Sequence, residues 1–411
     1  MDAHQADIAS AAGLDPDLLE TAARAVATVA KHTPLVSSAT LSEACGGEIV
    51  LKAENLQRTG SFKIRGAVAK LAQLGADCSA GVVAGSAGNH AQALAYAARR
   101  AGVPCEIFVP AGASIAKAEA ARSYGAKVVL GGDSLDDAVA AARSRATAAG
   151  MVFVHPFDDP AVIAGQHTLG LELVADIRDL RRVVVPLGGG GLASGVALAV
   201  KRHDSTVKVI GVQVEVCAPY ANRAAPTGAV ATLADGIAVK RPGIITRPLV
   251  EALLDDVVVV GEDDVAEAMV FLLERAKLVV EGGGAVGVAA LRTGRVAPSR
   301  AGTTVAILSG GNVDVGLLPS LVRRHETKAG RRLILFARIS DRPGGLADLL
   351  ATFSAAGANL VEVEHVREGV DLHVLETGVQ AVLEVRGRDH AEAVMAAARS
   401  AGYVVHEALA G

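Results

Sequence analysis

A lysine in an unusual setting is the first candidate for chemistry. Lys63 directly follows Phe62 inside the stretch RTGSFKIRGA, in which glycines stand on both sides of the pair. A solvated surface lysine needs neither an aromatic neighbour nor flanking glycines, whereas an amine that must reach a reactive carbon beside a flat ring would use both. The stretch therefore predicts a reactive amine, although a lysine taken alone is far more often a surface residue.

A run of glycines is the second candidate. Gly188, Gly189, Gly190 and Gly191 follow the buried-strand pattern VVVPL and precede a helix that begins near Leu192. Without Cβ atoms the backbone can turn tightly and direct several N–H groups at one anion, and the helix dipole adds partial positive charge. The run predicts a phosphate cradle, and a loop that only permits close packing is the alternative. No Walker lysine follows, which argues against a nucleotide P-loop.

Two further stretches, GSAGNHAQ at 85–92 and SGGN at 309–312, complete a set of four. One cofactor uses all of them, namely pyridoxal 5'-phosphate (PLP). It requires an amine for covalent attachment, a cradle for its phosphate and a partner for its ring nitrogen. The four stretches together predict a PLP enzyme.

A dinucleotide-dependent oxidoreductase is the alternative from another class. Gly188, Gly190 and Ala193 also match the fingerprint GxGxxA, and Glu215 closes the next apolar run, VKVIGVQVE. A single match of this kind is weak, because it requires a particular strand–turn–helix context. This alternative also leaves Lys63 without a role.

The elements that must position these residues alternate regularly. Between Gly81 and Ser309, short β-branched runs alternate with Ala-rich amphipathic stretches, which predicts a mostly parallel sheet covered by helices. We therefore expect a catalytic domain at 1–325 and a charged linker at 326–331. The segment 332–411 reads as βαββαβ, the ferredoxin-like order, and its first helix places Leu346, Leu349, Leu350 and Phe353 on one face.

Composition excludes several classes of function. A net charge of −4 provides no basic footprint for nucleic acid. No apolar run approaches the roughly 18 residues of a spanning helix, and the N-terminus does not resemble a secretory signal. The four cysteines stand far apart, without zinc spacing. We therefore expect a cytoplasmic protein that binds neither membrane nor nucleic acid and holds no metal.

The combined motifs closely resemble the threonine dehydratases (threonine ammonia-lyases). These belong to a group of PLP enzymes that also contains serine racemase and the tryptophan synthase β subunit. Beyond the four stretches, TLADGIAVKRPG at 232–243 and VVEGGGAVGVAAL at 279–291 carry the resemblance, which covers about residues 20–325. It implies PLP fold type II, with two open, mostly parallel α/β lobes. The tail resembles an ACT domain, a regulatory amino-acid-binding module, through its turn DRPGGL at 341–346.

The resemblance also implies a role for each site residue. Lys63 holds PLP covalently and, once released, acts as the base at the substrate Cα. The proposed cofactor contacts are Phe62 and Gly236 on opposite ring faces, Asn89 on the phenolic oxygen, Gly188, Gly189, Gly190, Gly191 and Leu192 around the phosphate, and Ser309 at the ring nitrogen. The substrate carboxylate is received by Ser86, Ala87, Gly88, Asn89 and His90, at the start of a helix.

Ser309 favours one type of reaction. A hydroxyl, unlike a carboxylate, does not force protonation of the ring nitrogen, so the ring is a weaker electron sink and elimination is favoured over transamination. With L-threonine as the substrate, loss of water gives an enamine that yields 2-oxobutanoate and ammonia. L-Serine would give pyruvate as a secondary activity. The alternatives within the family are an L-serine or 3-hydroxyaspartate dehydratase or racemase, and a non-catalytic amino-acid sensor is a third hypothesis.

Two positions depart from related enzymes. Serine racemases place a serine where this chain has Ala87, and a methyl group cannot move a proton, so we expect little racemisation. Family members that bind a divalent cation use a glutamate where this chain has Gln213, so we expect no divalent site.

The C-terminal segment, 332–411, predicts that an amino acid regulates the enzyme. The resemblance places an amino-acid effector at the turn formed by Pro343, Gly344 and Gly345, with isoleucine or valine as candidates if the enzyme serves branched-chain synthesis. The alternative is a module that only pairs subunits. A homodimer or homotetramer is expected in either case.

Overall fold

The computed structural model describes residues 1–113, 115–221, 226, 228, 230–367 and 372–408. The chain forms two compact units, Met1–Val313 and Asp314–Gly411. No helix in the described ranges is long and apolar enough to cross a membrane.

The N-terminal unit contains ten strands and twelve α-helices within the ranges given above. The strands are β1 Leu35–Ser37, β2 Ile49–Lys52, β3 Val82–Gly85, β4 Cys105–Val109, β5 Lys127–Leu130, β6 Val152–Phe153, β7 Leu180–Pro186, β8 Lys208–Val214, β9 Asp256–Val260 and β10 Thr303–Ile307. The helices are α1 Ala3–Ala11, α2 Pro16–Ala27, α3 Ala39–Cys45, α4 Lys63–Leu74, α5 Asn89–Ala101, α6 Ile115–Ser123, α7 Leu135–Ala149, α8 Pro160–Asp176, α9 Gly191–His203, α10 Thr246–Leu253, α11 Glu262–Phe271 and α12 Gly282–Arg292.

Two sheets organise this unit. The larger has the order β1-β2-β10-β7-β8-β9 and is parallel except for β1, which pairs antiparallel with β2. The smaller has the order β5-β4-β3-β6 and is parallel throughout. Val183, Val184 and Val185 of β7 are fully buried, as a strand covered on both faces requires. The predicted α/β class with mostly parallel sheets is confirmed.

The carboxyl ends of three parallel strands position the candidate residues. Strand β3 leads through 86–88 into α5, β7 leads through the glycine run into α9, and β10 ends two residues before Ser309. Loops at these ends are where ligands bind in open α/β sheets, because helix N-termini and free backbone groups converge there.

The C-terminal unit is a separate antiparallel fold. Its elements are α13 Leu318–Lys328, β11 Arg332–Ser340, α14 Gly345–Ala355, β12 Asn359–Val366, β13 Glu376–Glu384, α15 Arg388–Ser400 and β14 Val404–Glu407. The sheet order is β12-β13-β11-β14, so that β11 to β14 with α14 and α15 form the predicted βαββαβ plan. Leu349 and Phe353 of α14 are buried in its core, with Leu346 and Leu350 packed beside them, which confirms the predicted helix face.

The connection between the units differs from the predicted linker. Helix α13 continues to Lys328, so that half of 326–331 is helical, and β11 begins at Arg332. Residues 314–328 belong to the C-terminal unit. The charges of RRHETKAGRR suggest a solvated connection, but Leu321 provides a buried contact for this helix.

Candidate active site

The segment before Lys63 is shaped by two residues with positive φ. Thr59 has φ of 60° and Gly60 has φ of 73°. A Cβ atom at Gly60 would lie 2.3 Å from Oδ1 of Asn312, so only glycine fits there. The Asn312 side-chain amide donates to the Thr59 carbonyl at 2.8 Å. These contacts turn the chain so that α4 begins at Lys63.

The same segment is fastened to the chain that follows β10. The Phe62 N–H donates to the Ser309 carbonyl at 3.1 Å, and the Gly311 N–H donates to the Gly60 carbonyl at 2.8 Å. The structure therefore brings the stretches RTGSFK and SGGN into direct contact.

The side chain of Lys63 is half-buried, and its amine is hydrogen-bonded. Its Nζ donates to the Pro156 carbonyl at 2.8 Å and lies 5.2 Å from the centroid of the Phe62 ring. Burial lowers the pKa of Lys63 to about 8, although the negative charge of Glu281 acts in the opposite direction. With a pKa of about 8, roughly a tenth of the amine is uncharged at pH 7, far more than for an ordinary lysine, and covalent attachment and proton abstraction both require this form.

Asn89 is held between two other side chains. Its Nδ2 donates to Oε1 of Glu281 at 2.7 Å, and its Oδ1 accepts from Nδ2 of Asn312 at 2.7 Å. Glu281 is buried and immediately precedes α12. No role for Glu281 was predicted; the available signal was a single acid in the apolar, glycine-rich run VVEGGGAVGVAAL.

The glycine run lies at the start of α9. Gly190 precedes the helix with φ of +98°, a conformation that residues other than glycine rarely adopt. Because α9 begins at Gly191, the first N–H groups of this helix have no intrahelical partner. Leu192 is buried behind them. The arrangement offers free donors and a positive dipole end to an anion.

Neighbouring segments approach the glycines too closely for any larger residue. A Cβ atom at Gly188 would lie 2.9 Å from Cα of Ile237, and one at Gly189 would lie 2.4 Å from the Phe157 ring. The residue before Phe157 accepts the hydrogen bond of the Lys63 amine. Pro156 and Phe157 are adjacent in the chain, so the segment that binds the Lys63 amine also packs against the glycine run.

The structure also places Gly236 and Ser309 in this neighbourhood. Gly236 lies in the turn Asp235–Ile237, where a Cβ atom would be 3.6 Å from Oε1 of Glu281. Ser309 is buried, with its hydroxyl 3.5 Å from the Gly283 carbonyl.

The predicted carboxylate loop precedes α5. Ser86, Ala87 and Gly88 are half-buried, and the Gly88 N–H lies 3.3 Å from Oγ of Ser86. The free N–H groups at the start of α5 suit an anion. Nε2 of His90 lies 3.0 Å from the Val154 carbonyl, and burial lowers the pKa of His90 to about 3, so that this ring stays neutral.

Gln213 is a fully buried amide behind the glycine run. Its Nε2 donates to the Leu187 carbonyl at 3.2 Å, and its Oε1 accepts from the Tyr220 N–H at 2.9 Å. Within the described ranges no three His, Cys, Asp or Glu residues lie close enough to hold a metal ion.

The residues present fit PLP on three observations. Burial lowers the pKa of the Lys63 amine to about 8. The run Gly188–Gly191 leads into α9, whose first N–H groups have no intrahelical partner. The hydroxyl of Ser61, beside the lysine segment, is buried and has no hydrogen-bond partner within the described ranges. PLP would supply an aldehyde that reacts with the Lys63 amine, a phosphate that accepts hydrogen bonds from the N–H groups of α9, and a polar partner for the Ser61 hydroxyl.

The predicted regulatory turn lies in the C-terminal unit. Pro343 is exposed, Gly344 has φ of +90° at the start of α14, and a Cβ atom at Gly345 would lie 2.5 Å from the Ser340 carbonyl. A cavity of about 360 Å³ lies beside this turn. Its lining residues are Ile339, Ser340, Asp341, Arg342, Gly344, Leu346, Ala347, Leu350, His365 and Thr377.

Comparisons with known proteins agree with this geometry. A model of the family "Pyridoxal-phosphate dependent enzyme" matches residues 26–310. An L-threonine ammonia-lyase from Thermotoga maritima is 44% identical over 94% of this chain and 98% of its own length. The threonine deaminase of T.th. is 39% identical with a TM-score of 0.68, over 73% of this chain and 99% of that one. Maize serine racemase is 32% identical with a TM-score of 0.70, over 76% and 98%.

The family match also decides between the two cofactors that the glycine run allowed. It spans Lys63, the glycines and Ser309 together, whereas the dinucleotide alternative used only the fingerprint glycines and left Lys63 without a role. The chain belongs to the pyridoxal-phosphate dependent enzyme family.

Proposed function

We propose that this chain is an L-threonine ammonia-lyase, which converts L-threonine to 2-oxobutanoate and ammonia and L-serine to pyruvate as a secondary activity. The observation that carries the proposal is the Lys63 amine, whose pKa is lowered by burial and which bonds to Pro156, the residue before the Phe157 ring that packs on the glycine run. The similarity to the Thermotoga maritima lyase over 98% of that protein's length supports the choice of substrate.

The chain's own residues account for the binding of PLP. Gly188–Gly191 and Leu192 would hold the phosphate, Phe62 and Gly236 would flank the ring, Asn89 would donate to the phenolic oxygen, and Ser309 would meet the ring nitrogen. PLP, when bound, supplies an aldehyde that links to the substrate amine and a ring that withdraws electrons from Cα.

Lys63 and the loop before α5 act on the substrate. The free N–H groups at the start of α5 hold the carboxylate and fix the orientation of Cα. The neutral Lys63 amine accepts the Cα proton, and the Cβ hydroxyl leaves, so that one water is lost in total. The enamine product takes up a proton at Cβ, and the resulting imine hydrolyses to the keto acid and ammonia. Because the Ser309 hydroxyl does not enforce protonation of the ring nitrogen, elimination is favoured over transamination.

Mass spectrometry and a keto-acid assay test the proposal together. Borohydride reduction of the holoenzyme should fix PLP to the peptide that contains Lys63, because hydride reduces the covalent link to a stable amine. L-Threonine should exceed L-serine and 3-hydroxyaspartate in kcat/KM. Lys63→Ala should abolish both signals, whereas Lys127→Ala, which removes a lysine on β5, should change neither. An adduct on another peptide, or none at all, would falsify the assignment.

A racemase of the same family is the second candidate, since maize serine racemase shares the fold at 32% identity. Ala87 argues against it, because its methyl group cannot donate or accept a proton. Chiral chromatography after incubation with L-serine or L-threonine should therefore show ammonia and keto acid without the D-enantiomer. Accumulation of the D-enantiomer at a comparable rate would favour the racemase.

We also propose that the C-terminal unit is an ACT domain that binds a branched-chain amino acid. The cavity beside Gly344 combines the apolar walls of Leu346 and Leu350 with the charged Arg342 and Asp341. The Gly345 N–H donates to the Arg342 carbonyl at 3.1 Å, but the next N–H groups of α14 have no intrahelical partner and suit a carboxylate. An amino acid with an aliphatic side chain matches this combination of groups.

Effector titration tests the regulatory site. Isoleucine and valine, added to initial-rate assays, should change the threonine concentration at half-maximal rate. Arg342→Ala should weaken that response, since the Arg342 side chain is largely exposed and its loss leaves the core intact. Arg399→Ala on α15 serves as the matched control. If no amino acid alters the rate, the unit serves only to pair subunits.

The assembly state is a separate part of the proposal. We expect a homodimer or homotetramer, as the family resemblance implies. Sedimentation velocity of the holoenzyme measures it, and a monomer at assay concentration would contradict the expectation.

A further inference from the structure

Behind the glycine run, two hydroxyl groups converge on a single backbone carbonyl. Oγ1 of Thr246 donates to the Gly189 carbonyl at 2.6 Å, and Oη of Tyr220 donates to the same oxygen at 3.2 Å. Both residues lie outside every motif that the sequence singled out. The Gly189 carbonyl is therefore fixed from one side by two donors.

The orientation of the Gly189 carbonyl also determines the orientation of the Gly190 N–H. In a trans peptide the C=O and N–H bonds point in opposite directions, because the unit is planar. With the Gly189 oxygen turned toward Thr246 and Tyr220, the N–H of Gly190 points away from them. Gly190 immediately precedes α9, so this N–H adds to the free donors of the helix start.

The two hydroxyls are themselves held rigidly. The carboxylate of Asp158 accepts from the N–H groups of Ile244, Ile245 and Thr246 at 2.8, 2.9 and 3.1 Å, which anchors the start of α10. The amide of Gln213 accepts from the Tyr220 N–H at 2.9 Å. Burial raises the pKa of Tyr220 to about 12, so that its hydroxyl remains a donor across the physiological range.

Close packing leaves the peptide little freedom to turn over. A Cβ atom at Gly190 would lie 2.6 Å from Oη of Tyr220 and 2.8 Å from Cβ of Thr246. The two side chains therefore occupy the space behind the loop as well as bonding to it. Loss of the hydroxyls would release the only donors that the described residues direct at the Gly189 oxygen.

We propose that Thr246 and Tyr220 are positioning residues for the PLP phosphate, which orient the Gly189–Gly190 peptide so that its N–H faces the phosphate. The inference rests on the proposed seating of the phosphate on Gly188–Gly191. Neither residue touches the reacting atoms. Both residues act by setting the direction of the Gly190 N–H.

The test separates the contribution of the phosphate to binding from that of the rest of the cofactor. Full-length protein stripped of PLP is titrated with PLP and with pyridoxal, which lacks the phosphate, and the two Kd values are read from the absorbance of the bound cofactor. In Thr246→Val the Kd for PLP should rise about 10-fold, the size expected when one hydrogen-bond partner is lost. The Kd for pyridoxal should stay within about 2-fold, and the ³¹P resonance of bound PLP should shift.

Conservative variants make the result specific. Thr246→Ser keeps the hydroxyl and should restore the wild-type preference for PLP over pyridoxal. Tyr220→Phe should produce a smaller loss than Thr246→Val, since its hydrogen bond is longer. If Thr246→Val weakens PLP and pyridoxal equally, or neither, Thr246 does not act on the phosphate and the inference is overturned.

Gly190→Ala distinguishes failure of the inference from failure of the phosphate seating. A loss of PLP preference in Gly190→Ala with none in Thr246→Val overturns the positioning role alone. An unchanged preference in both variants overturns the seating and the positioning role together. A loss in both variants supports both.

Discussion

The side-chain amide of Asn89 donates to the carboxylate of Glu281 at 2.7 Å, although 192 residues separate them in the chain. The carbonyl end of the same amide accepts from Asn312 at 2.7 Å. The orientation of the Asn89 amide is therefore determined by its partners, and one N–H of its nitrogen remains available. That N–H is the donor that we assign to the phenolic oxygen of PLP.

The first prediction concerns the charge of Glu281 and the pKa of Lys63. A carboxylate stabilises a nearby ammonium, so replacing it with the neutral Glu281→Gln should lower the pKa of Lys63 below about 8. The rate of covalent PLP attachment depends on the neutral amine. In Glu281→Gln the midpoint of its pH profile should therefore move to lower pH. Absorbance-monitored reconstitution of the stripped protein between pH 6 and pH 10 measures both profiles.

The neighbouring imidazoles of His90 and His155 do not titrate within the pH range of this profile. Burial lowers the pKa of His90 to about 3 and that of His155 to about 4, so that both rings are neutral throughout the titration. Glu251→Gln, on the exposed surface of α10, is the matched control and should leave the midpoint unchanged. A midpoint that rises in Glu281→Gln would contradict the assignment of this carboxylate.

The second prediction concerns the space beside Glu281. A Cβ atom at Gly310 would lie 2.3 Å from Oε1 of Glu281 and 3.1 Å from Nδ2 of Asn89. Gly310→Ala should therefore displace the pair and lower kcat/KM by about 100-fold, as small misplacements of site residues do. Gly112→Ala, where a Cβ atom would meet nothing within 4 Å, should retain full activity. Full activity in Gly310→Ala would show that the Asn89–Glu281 contact is dispensable.

Sequence patterns predicted the parts of the fold that depend on local order. The VVV run of β7 predicts a buried strand because only a strand covered on both faces can be apolar at every position. Leu346, Leu349, Leu350 and Phe353 predict a helix face because their spacing follows the helical period. The C-terminal βαββαβ order was predicted from such patterns alone and is confirmed.

Long-range pairing explains what the sequence did not predict. Glu281 meets Asn89, and Thr246 meets the Gly189 carbonyl, only because strands distant in sequence are neighbours in one sheet or face each other across the unit. Glu281 is distinguished only as a single acid in an apolar, glycine-rich run, and Thr246 carries no local pattern that distinguishes it from a solvated residue. The end of helix α13, at 326–328, was predicted to be linker because the charges there outweigh the single buried contact that Leu321 gives this helix.

The third prediction concerns Arg65, which lies two residues after Lys63 on α4. Its guanidinium is fully buried and donates to both oxygens of Glu54 at 2.8 Å, and to Oε1 of Glu172 at 2.7 Å. Glu54 is also fully buried. Arg65→Met should therefore leave a buried carboxylate without its main counter-charge and lower the free energy of unfolding by about 3–5 kcal/mol. Arg24→Met, which breaks an exposed pair on α2, should cost less than about 1 kcal/mol.

The pH dependence of this loss has a definite sign. In the native protein burial opposes ionisation of Glu54, but the charge and hydrogen bonds of Arg65 outweigh it and hold the pKa of Glu54 below its usual value. That contribution to stability is present above the unfolded-state pKa of a glutamate and is lost as pH falls through the folded-state pKa. In Arg65→Met burial dominates and the pKa of Glu54 rises, so that the protonated form is favoured in the folded state. The stability deficit of the variant should therefore shrink as pH falls from 7 toward 5.

Denaturant unfolding of the wild type and the variant at pH 7 and pH 5 measures the deficit, with the circular dichroism signal followed through the transition. The double variant Arg65→Met with Glu54→Gln removes the buried charge that the single variant leaves behind. It should recover part of the lost stability and show no change in its deficit between the two pH values. A deficit in Arg65→Met that is the same at pH 7 and pH 5 would mean that Arg65 stabilises α4 by packing and not by neutralising Glu54.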